Sequence, residues 1–514
     1  MHRSITLEPR AGKRIGATAA TIALLSLGLP LAGAGPAAAA SPSRYTVTDL
    51  GALAANALAI NNAGVVVGYT SNPAGQHAFR WSNGVLTDLG TLPGGGNSTA
   101  NAINDAGQIA GTSDRMSGGY GYPVKWSASG TITDLGGPIT NRLGVANGID
   151  QHGRVVGGQR PADSEGSPLA MVYEPNGTSS YLASPPELLS AATGINQLGH
   201  IIANPGYLWH DGQLTRMPGL RYFDGDATSV YAINVRDQIV GSAPIGDGVS
   251  HAVLWPAPEV VEHGLPIGID IGTVDNIANS AGKAINAANQ VVGTADPMCQ
   301  PCAQALAWVW QPGGTITALD MLIPPGSGWQ LQQANGINDR GQIVGRGLLN
   351  GQYHAYLLNP RFQASVNFQP ASAAVPTGYI PDSGAVYGPR PGGRTYGWSA
   401  DDTAFTRDRN ASAEPDQRYD TLIHSQHPTS ANVWEIAVPN GTYLVHVVAG
   451  DPDYTDSVYQ FAVEGTLILA GTPTSTSRYV EASRTVTVTD GRITVSNAPG
   501  GRNNKLDYID VTGL

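Results

Sequence analysis

AINDAGQIAG stands at residues 102–111 and GINDRGQIVG at residues 336–345. Two nearly identical phrases so far apart mark an internal repeat, and the length of the repeating unit decides the architecture. Reading outward, each phrase opens a unit of four short segments: A-x-x-I-N, G-x-[IV]-[VA]-G, H-A-x-x-W and [LI]-T-D-L-G. The segments are strand-length, two to a hairpin. The Ile-Asn step recurs at Ile60-Asn61, Ile103-Asn104, Ile149-Asp150, Ile195-Asn196, Ile233-Asn234, Ile285-Asn286 and Ile337-Asn338, seven copies spaced 38 to 52 residues apart. That period is the length of a four-stranded propeller blade, not of one solenoid coil.

The ends of the array sharpen this. The seventh copy has GIN, GQIVG and HAYLL but no closing TDLG, while TVTDLG at residues 46–51 precedes the first copy with no unit of its own. Joining the two completes the last sheet and leaves it no free edge. The expected fold is all-β, with a seven-bladed β-propeller over residues 44–361 closed by its N-terminal strand. Copies three and four are degenerate: Tyr173 stands where Trp81 and Trp255 stand, and Asn204 is read in place of the second Gly. Six or eight blades therefore stay open. The Asn/Asp and Gly within each phrase are turn chemistry, so Asp105 and Asp339 are read as scaffold.

The 66 Gly and 36 Pro among 514 residues suit many short strands and tight turns far better than helices. The first forty residues have a different character. Arg3, Arg10, Lys13 and Arg14 precede an apolar run from Ile15 to Leu31 and a small-residue stretch, which reads as a secretory signal over residues 1–40 cut after Ala38-x-Ala40. A retained membrane anchor is the alternative, disfavoured by Gly28, Pro30 and the Ala-rich tail. The expectation is a secreted, extracellular protein with no membrane insertion after the signal is removed. Removing residues 1–40 would take away four basic side chains and one acid, making the formal charge of −11 more negative. An acidic surface repels phosphate, so nucleic acid is not expected as a partner.

Cys299 and Cys302 are the two cysteines, and in an exported chain they read as a small loop disulfide. No other Cys or His lies near them in sequence to complete a zinc site, so no metal is assigned. The repeated His77, His251 and His354 are read as structural, because equivalent positions in different blades do not converge on one point. No cofactor is expected. A structural calcium at FDGD, residues 223–226, or at the rim of the C-terminal domain is the alternative considered.

The repeats resemble the extracellular HAF-repeat family on the strength of His77-Ala78-Phe79, His251-Ala252, His354-Ala355 and the DLG steps at Asp88 and Asp134. The resemblance implies a secreted protein and no particular activity. From Phe362 the language changes. VNFQP, DSGAVYGPRPGGRTYGW, RYDTLIHSQ, WEIAVPNGTYLVHVVAGDP, DSVYQFAVEG and NNKLDYIDV together look like a malectin-like β-sandwich of jelly-roll type over residues 363–514. What that resemblance implies is carbohydrate binding by rim aromatics and acids. By position in the motif, the role passes to Asp451, Asp453 and Tyr454, with Arg418, Tyr419, Asp420, Tyr387, Tyr396 and Trp398 as further candidates. Paired aromatics of the animal proteins are replaced here by Pro-Asp-Tyr, which leaves the sugar class open. Trp434, inside a strand, is read as core.

Three functions are carried forward. The first is a non-catalytic extracellular carbohydrate-binding protein with the propeller as scaffold or interaction platform. The second is a polysaccharide-degrading glycosidase or lyase with a catalytic propeller, drawing on the nonrepeating acids Asp163, Glu165, Asp224, Asp226, Asp270 and Asp275. The third is a module whose propeller face binds a surface protein. G-x-S-x-G, H-E-x-x-H and G-x-x-x-x-G-K-[ST] do not occur, which excludes the simplest serine hydrolase, zinc protease and nucleotide readings.

Overall fold

The structure is a computed structural model that describes residues 44–72, 75–116, 121–136, 143–160, 168–182, 189–220, 228–246, 248–256, 261–262, 265–274, 277–297, 304–391, 393–426 and 432–514. The signal-like segment and the Cys299–Cys302 pair lie outside these residues, as do Asp163, Glu165, Asp224, Asp226 and Asp275. The described chain is almost entirely β, and among its residues no helix is long and apolar enough to cross a membrane.

Each sequence unit folds as its own antiparallel sheet. In the second unit Ser98–Ile103, Ile109–Ser113, Tyr122–Trp126 and Ile132–Asp134 pair in chain order. Seven four-stranded sheets of this kind occur among the described residues. The last of them recruits Tyr45–Leu53, which pairs with Gln352–Pro360 from Tyr45 opposite Pro360 to Asp49 opposite Tyr356. Tyr45 and Leu50 are buried by that pairing. Aliphatic residues and Trp fill the space between one sheet and the next; Trp126 of the second unit, for example, packs with Val67 and Ala78 of the first and donates its indole N–H to Leu89 O at 3.0 Å.

The second Gly of the G-x-[IV]-[VA]-G segment has a steric cause. In every unit the first strand carries a bulge, as between Ala100 and Ala102, and the bulge pushes a carbonyl toward the neighbouring strand. A Cβ at Gly111 would stand 2.0 Å from Thr99 O, and one at Gly345 would stand 1.8 Å from Gln333 O. In the fourth unit the register places Ala203, not Asn204, opposite Ala192 at this point, which corrects the alignment read from sequence.

The repeated Asn does more than make a turn. Asn338 Oδ1 accepts from the N–H groups of Arg340 and Gln342, holding the turn, while its Nδ2 donates 2.9 Å to Asn61 O in the first unit. Asn61, Asn104, Asn196, Asn234 and Asn286 likewise donate to Asn104 O, Asp150 O, Asn234 O, Asn286 O and Asn338 O, at 2.8–3.1 Å. The links run from each unit to the next and return to the first. One donor is missing, because the third unit has Asp150, whose carboxylate accepts from His152 N–H and Arg154 N–H and has no amide to give. Asp150→Asn supplies that donor opposite Asn196 O. The expected gain is about 1 kcal/mol, the usual net worth of one buried hydrogen bond, seen as a higher urea midpoint with unchanged slope. An unchanged midpoint would mean that the seventh link is not formed.

The HAF and DLG segments meet on adjacent strands. His77 Nδ1 lies 2.7 Å from Asp88, His251 lies 3.0 Å from Asp270, and His354 lies 3.0 Å from Asp49, an aspartate of the N-terminal strand. Each of these carboxylates also accepts from the Gly two residues on. The second unit has Tyr122 in place of His, and there Arg115 pairs with Asp134 while its guanidinium sits 4.2 Å over the Tyr122 ring.

Residues 363–514 form a five-stranded sheet (Ile380–Asp382, Gln363–Phe368, Tyr508–Gly513, Gly441–Gly450, Tyr479–Val488) and a six-stranded sheet that includes Thr395–Trp398, Trp434–Ala437 and Arg492–Asn497. Their inward residues share one core, in which Phe368 packs edge-on against Trp398 and Trp434. Both indole N–H groups donate to buried Asp382, at 3.1 and 2.8 Å. Burial raises the Asp382 carboxyl above its ordinary range, against the N–H bonds from Gly384 and the two indoles.

Candidate functional site

The five-stranded sheet alternates strictly, with Tyr443, Val445, Val447 and Ala449 facing the core and Leu444, His446 and Val448 facing outward. Tyr508 and Glu481 pair with Val448, and Tyr479 pairs with Gly450, so all three share the outward face. A bulky residue at 450 is excluded, because its Cβ would meet the Tyr479 ring at 2.0 Å.

Over this end of the sheet lies a single helical turn, Gln417–Asp420, capped by Asp416, whose side chain accepts from Arg418 N–H. The turn sets Tyr419 against the sheet tyrosines: its ring centroid lies 4.8 Å from Tyr479 and 5.3 Å from Tyr508, both edge-on, and the Tyr508 hydroxyl donates to that of Tyr419 at 2.9 Å. Tyr379 adds a fourth ring, 5.7 Å from Tyr508. The Arg418 guanidinium lies 5.4–5.8 Å from the rings of Tyr379, Tyr419 and Tyr508. It also binds Asp416, with Nε 3.1 Å from both carboxylate oxygens.

Glu414, Asp416, Tyr419, Tyr479 and Glu481 line an open cavity of about 330 Å³. Burial pushes the Tyr379 hydroxyl up to about 12, helped by Asp510 and opposed by Arg418. Burial likewise raises Tyr479, with Glu414 adding to the effect, so Tyr379 and Tyr479 are neutral donors at physiological pH. Asp416 is held below the usual carboxylate range, first by its bond from Arg418. The floor is therefore aromatic, and the walls carry carboxylates that accept hydrogen bonds and repel anions.

The sequence candidates separate into three groups. Tyr419 lines this cavity, and Arg418 stands beside it, bound to Asp416. Asp453 and Tyr454 are exposed on the loop after Gly450, where the Arg409 guanidinium lies 4.8 Å from the Tyr454 ring. Tyr387 stands apart from both, beneath Arg492 at 4.6 Å. Four candidates are corrected. Tyr396 and Trp398 are core residues of the inward face, as is Trp434. Asp420 is buried and holds the 409–420 loop by accepting from Asn410 N–H and Ala411 N–H. Asp451 has no exposed surface: it accepts from Arg409 at 3.0 and 2.6 Å, Lys505 at 2.7 Å and Asp453 N–H at 3.0 Å. These four shape loops and core without facing a ligand.

Tyr379, Tyr479, Tyr508, Glu414, Asp416 and Glu481 were not among the residues singled out from sequence. The alternation in RYVEAS, residues 478–483, does put Tyr479 and Glu481 on one face, but nothing in it announces Tyr419 across the cavity. Of the acids read from sequence as nonrepeating, Asp270 is described, and it proves to stand at the repeated position of Asp88 and Asp49, engaged with His251 and Gly272. Asp105 and Asp339 accept from Asn62 N–H and Ala287 N–H of neighbouring units, both at 2.8 Å.

No protein-family model matches the chain, and no curated protein matches it. Among solved structures, a Bacillus subtilis protein aligns with 30% of this chain at 22% identity and a TM-score of 0.23, and the aligned part spans 40% of that protein's length. A streptogramin B lyase aligns over its whole length with 62% of this chain, at 13% identity and a TM-score of 0.39. A family 35 carbohydrate-binding module from Clostridium thermocellum aligns with 16% of this chain and 68% of its own length, at 17% identity and a TM-score of 0.13. The fold is all-β, with its seven four-stranded sheets seen directly in the strand pairing.

Proposed function

We propose that this chain is an extracellular carbohydrate-binding protein that takes a neutral sugar at the tyrosine cavity of residues 363–514, a malectin-like β-sandwich. The seven four-stranded units of residues 44–361 are, on this reading, a closed seven-bladed propeller of HAF-like repeats that carries the binding domain. The observation that bears the proposal is the convergence of Tyr419 and Tyr479, backed by buried Tyr508, beside Glu414, Asp416 and Glu481 around one open cavity. Tyrosine rings offer apolar faces to sugar C–H groups, and ionised carboxylates accept from sugar hydroxyls. The same carboxylates disfavour uronic acids and sulfated sugars.

The test is affinity electrophoresis of the full chain through gels holding neutral and acidic polysaccharides. Retardation by a neutral polymer is expected. Tyr479→Ala should weaken it about tenfold, the equivalent of about 1.4 kcal/mol lost with one aromatic contact. Tyr454→Ala should leave it unchanged. The reverse pattern would move the ligand to the 451–454 loop, and no retardation on any polymer would end the carbohydrate reading.

A further inference from the structure

The fourth unit departs from the repeat at one place where the departure brings chemistry. The residue just before the second strand is Gln in four units, and there it accepts from the linking Asn: Asn104 to Gln108, Asn234 to Gln238, Asn286 to Gln290 and Asn338 to Gln342, at 2.7–2.9 Å. In the fourth unit this residue is His200. Ile201 pairs with Trp209, so His200 and His210 are the next residues out along those adjacent strands, and their rings lie 5.4 Å apart. A histidine pair across two strands is no part of the scaffold pattern, since the third unit has Arg154 and Glu174 at these places, joined at 3.1 Å.

A second departure, in the fifth unit, supports the first. The turn residue there is Asp237, with φ of 59°, where five other units use Gly. Left-handed backbone costs most residues free energy, though Asp tolerates it better than most. The Asp237 carboxylate reaches back to the fourth unit, where it meets His200 Nδ1 at 2.8 Å and takes the Asn196 amide at 2.7 Å. A carboxylate on Nδ1–H fixes the imidazole tautomer and leaves Nε2 as a lone-pair donor, which is the arrangement that outer carboxylates give to metal-bound histidines.

Asp211 completes the group. It sits in the turn after His210, its side chain 90% exposed, with its carboxylate 3.9 Å from His210 Nδ1. One ligand atom from each of His200, His210 and Asp211 lies within 4.8 Å of the other two. Tetrahedral zinc with bonds of about 2.0–2.1 Å needs these atoms about 3.4 Å apart. Rotation of the exposed Asp211 and a small tilt of His210 supply the closure. The nearby positive charge, Arg154, is paired with Glu174.

We propose that His200, His210 and Asp211 bind a zinc ion on the fourth unit, with Asp237 as the positioning residue for His200 and the remaining coordination position open to water. Two imidazoles and one carboxylate match the ligand preference of Zn²⁺ over Ca²⁺ or Mg²⁺. The repeat itself supplies variants that the fold already accepts elsewhere: His200→Gln, His210→Ser and Asp237→Gly restore residues that stand at the same places in other units.

The experiment is calorimetric titration of Zn²⁺ into the full, tag-free chain stripped with chelator, alongside the three variants. One equivalent is expected in the wild type. Binding should be lost in His200→Gln and His210→Ser and weakened 10–100-fold in Asp237→Gly. All four proteins should melt alike in chelator, which separates loss of a ligand from loss of fold. Zinc uptake that survives both histidine variants would place the metal elsewhere, with Cys299 and Cys302 the next to test, and would overturn the proposal. So would the absence of a saturable equivalent in the wild type, or binding that Mg²⁺ or Ca²⁺ matches.

Discussion

Asp451→Ala is expected to cost the C-terminal sheets about 3–5 kcal/mol, the usual penalty for removing one partner of a buried ion pair. Lys505 is almost wholly buried, and Asp451 is its buried counter-charge; the remaining partner, Asp456, is itself mostly exposed. Removing Asp451 strands the ammonium and also frees Arg409, which anchors the loop leading to Asp420. The pH dependence gives a second check. Burial pushes the Asp451 carboxyl up, but the bonds from Arg409 and Lys505 outweigh it and hold the group below its ordinary value. A lowered carboxyl contributes stability above the unfolded value of about 3.9 and loses it as pH falls through the folded one. The gap between wild type and variant should therefore be full at pH 7 and narrow steadily below about pH 4 in denaturant titrations. A loss under about 1 kcal/mol at pH 7 would show that Asp451 is a surface-like pair after all.

A chain that lacks residues 44–53 should lose the outer strand of the last four-stranded sheet. Tyr45 and Leu50 are buried, at about 1.5–3 kcal/mol each, and the whole ladder to Gln352–Pro360 goes with them. Gln352–Pro360 then becomes a bare edge carrying Ala355, Leu357 and Leu358, the kind of edge that recruits other chains. Soluble monomer in size-exclusion chromatography is expected to fall sharply in favour of aggregate. A synthetic 44–53 peptide added during refolding should recover part of it. A truncated chain that stays monomeric, with an unshifted melting transition, would show that the strand is an accessory.

The repeat made much of this architecture readable. Its period, its missing last segment and the orphan TVTDLG are all local text, and they carry the pairing of Tyr45–Leu53 with Gln352–Pro360. The second task of each Asn was not readable, because its acceptor lies 38 to 52 residues on, or for Asn338 back in the first unit, and the turn alone accounts for the residue type. The cavity was partly hidden for a similar reason. Tyr419 was singled out, yet Tyr479 and Tyr508 come from distant strands, and only the register of the sheet brings them together. Tyr396 and Trp398 misled because an aromatic in a Gly-rich stretch reads as a rim residue, whereas Asp382 satisfies the Trp398 indole and lets it sink into the core.

The Asn links carry a consequence for how such a chain can change. Every unit but the third brings its own donor, and each linked unit offers its own acceptor, so a duplicate of one of those units would arrive with both halves of its attachment to its neighbours. Growth or shrinkage by one whole unit preserves every join, while a change within a unit is felt by that unit and the next one along. Novel surface chemistry can then be confined to a single unit and one adjoining turn, leaving the other joins as they were inherited.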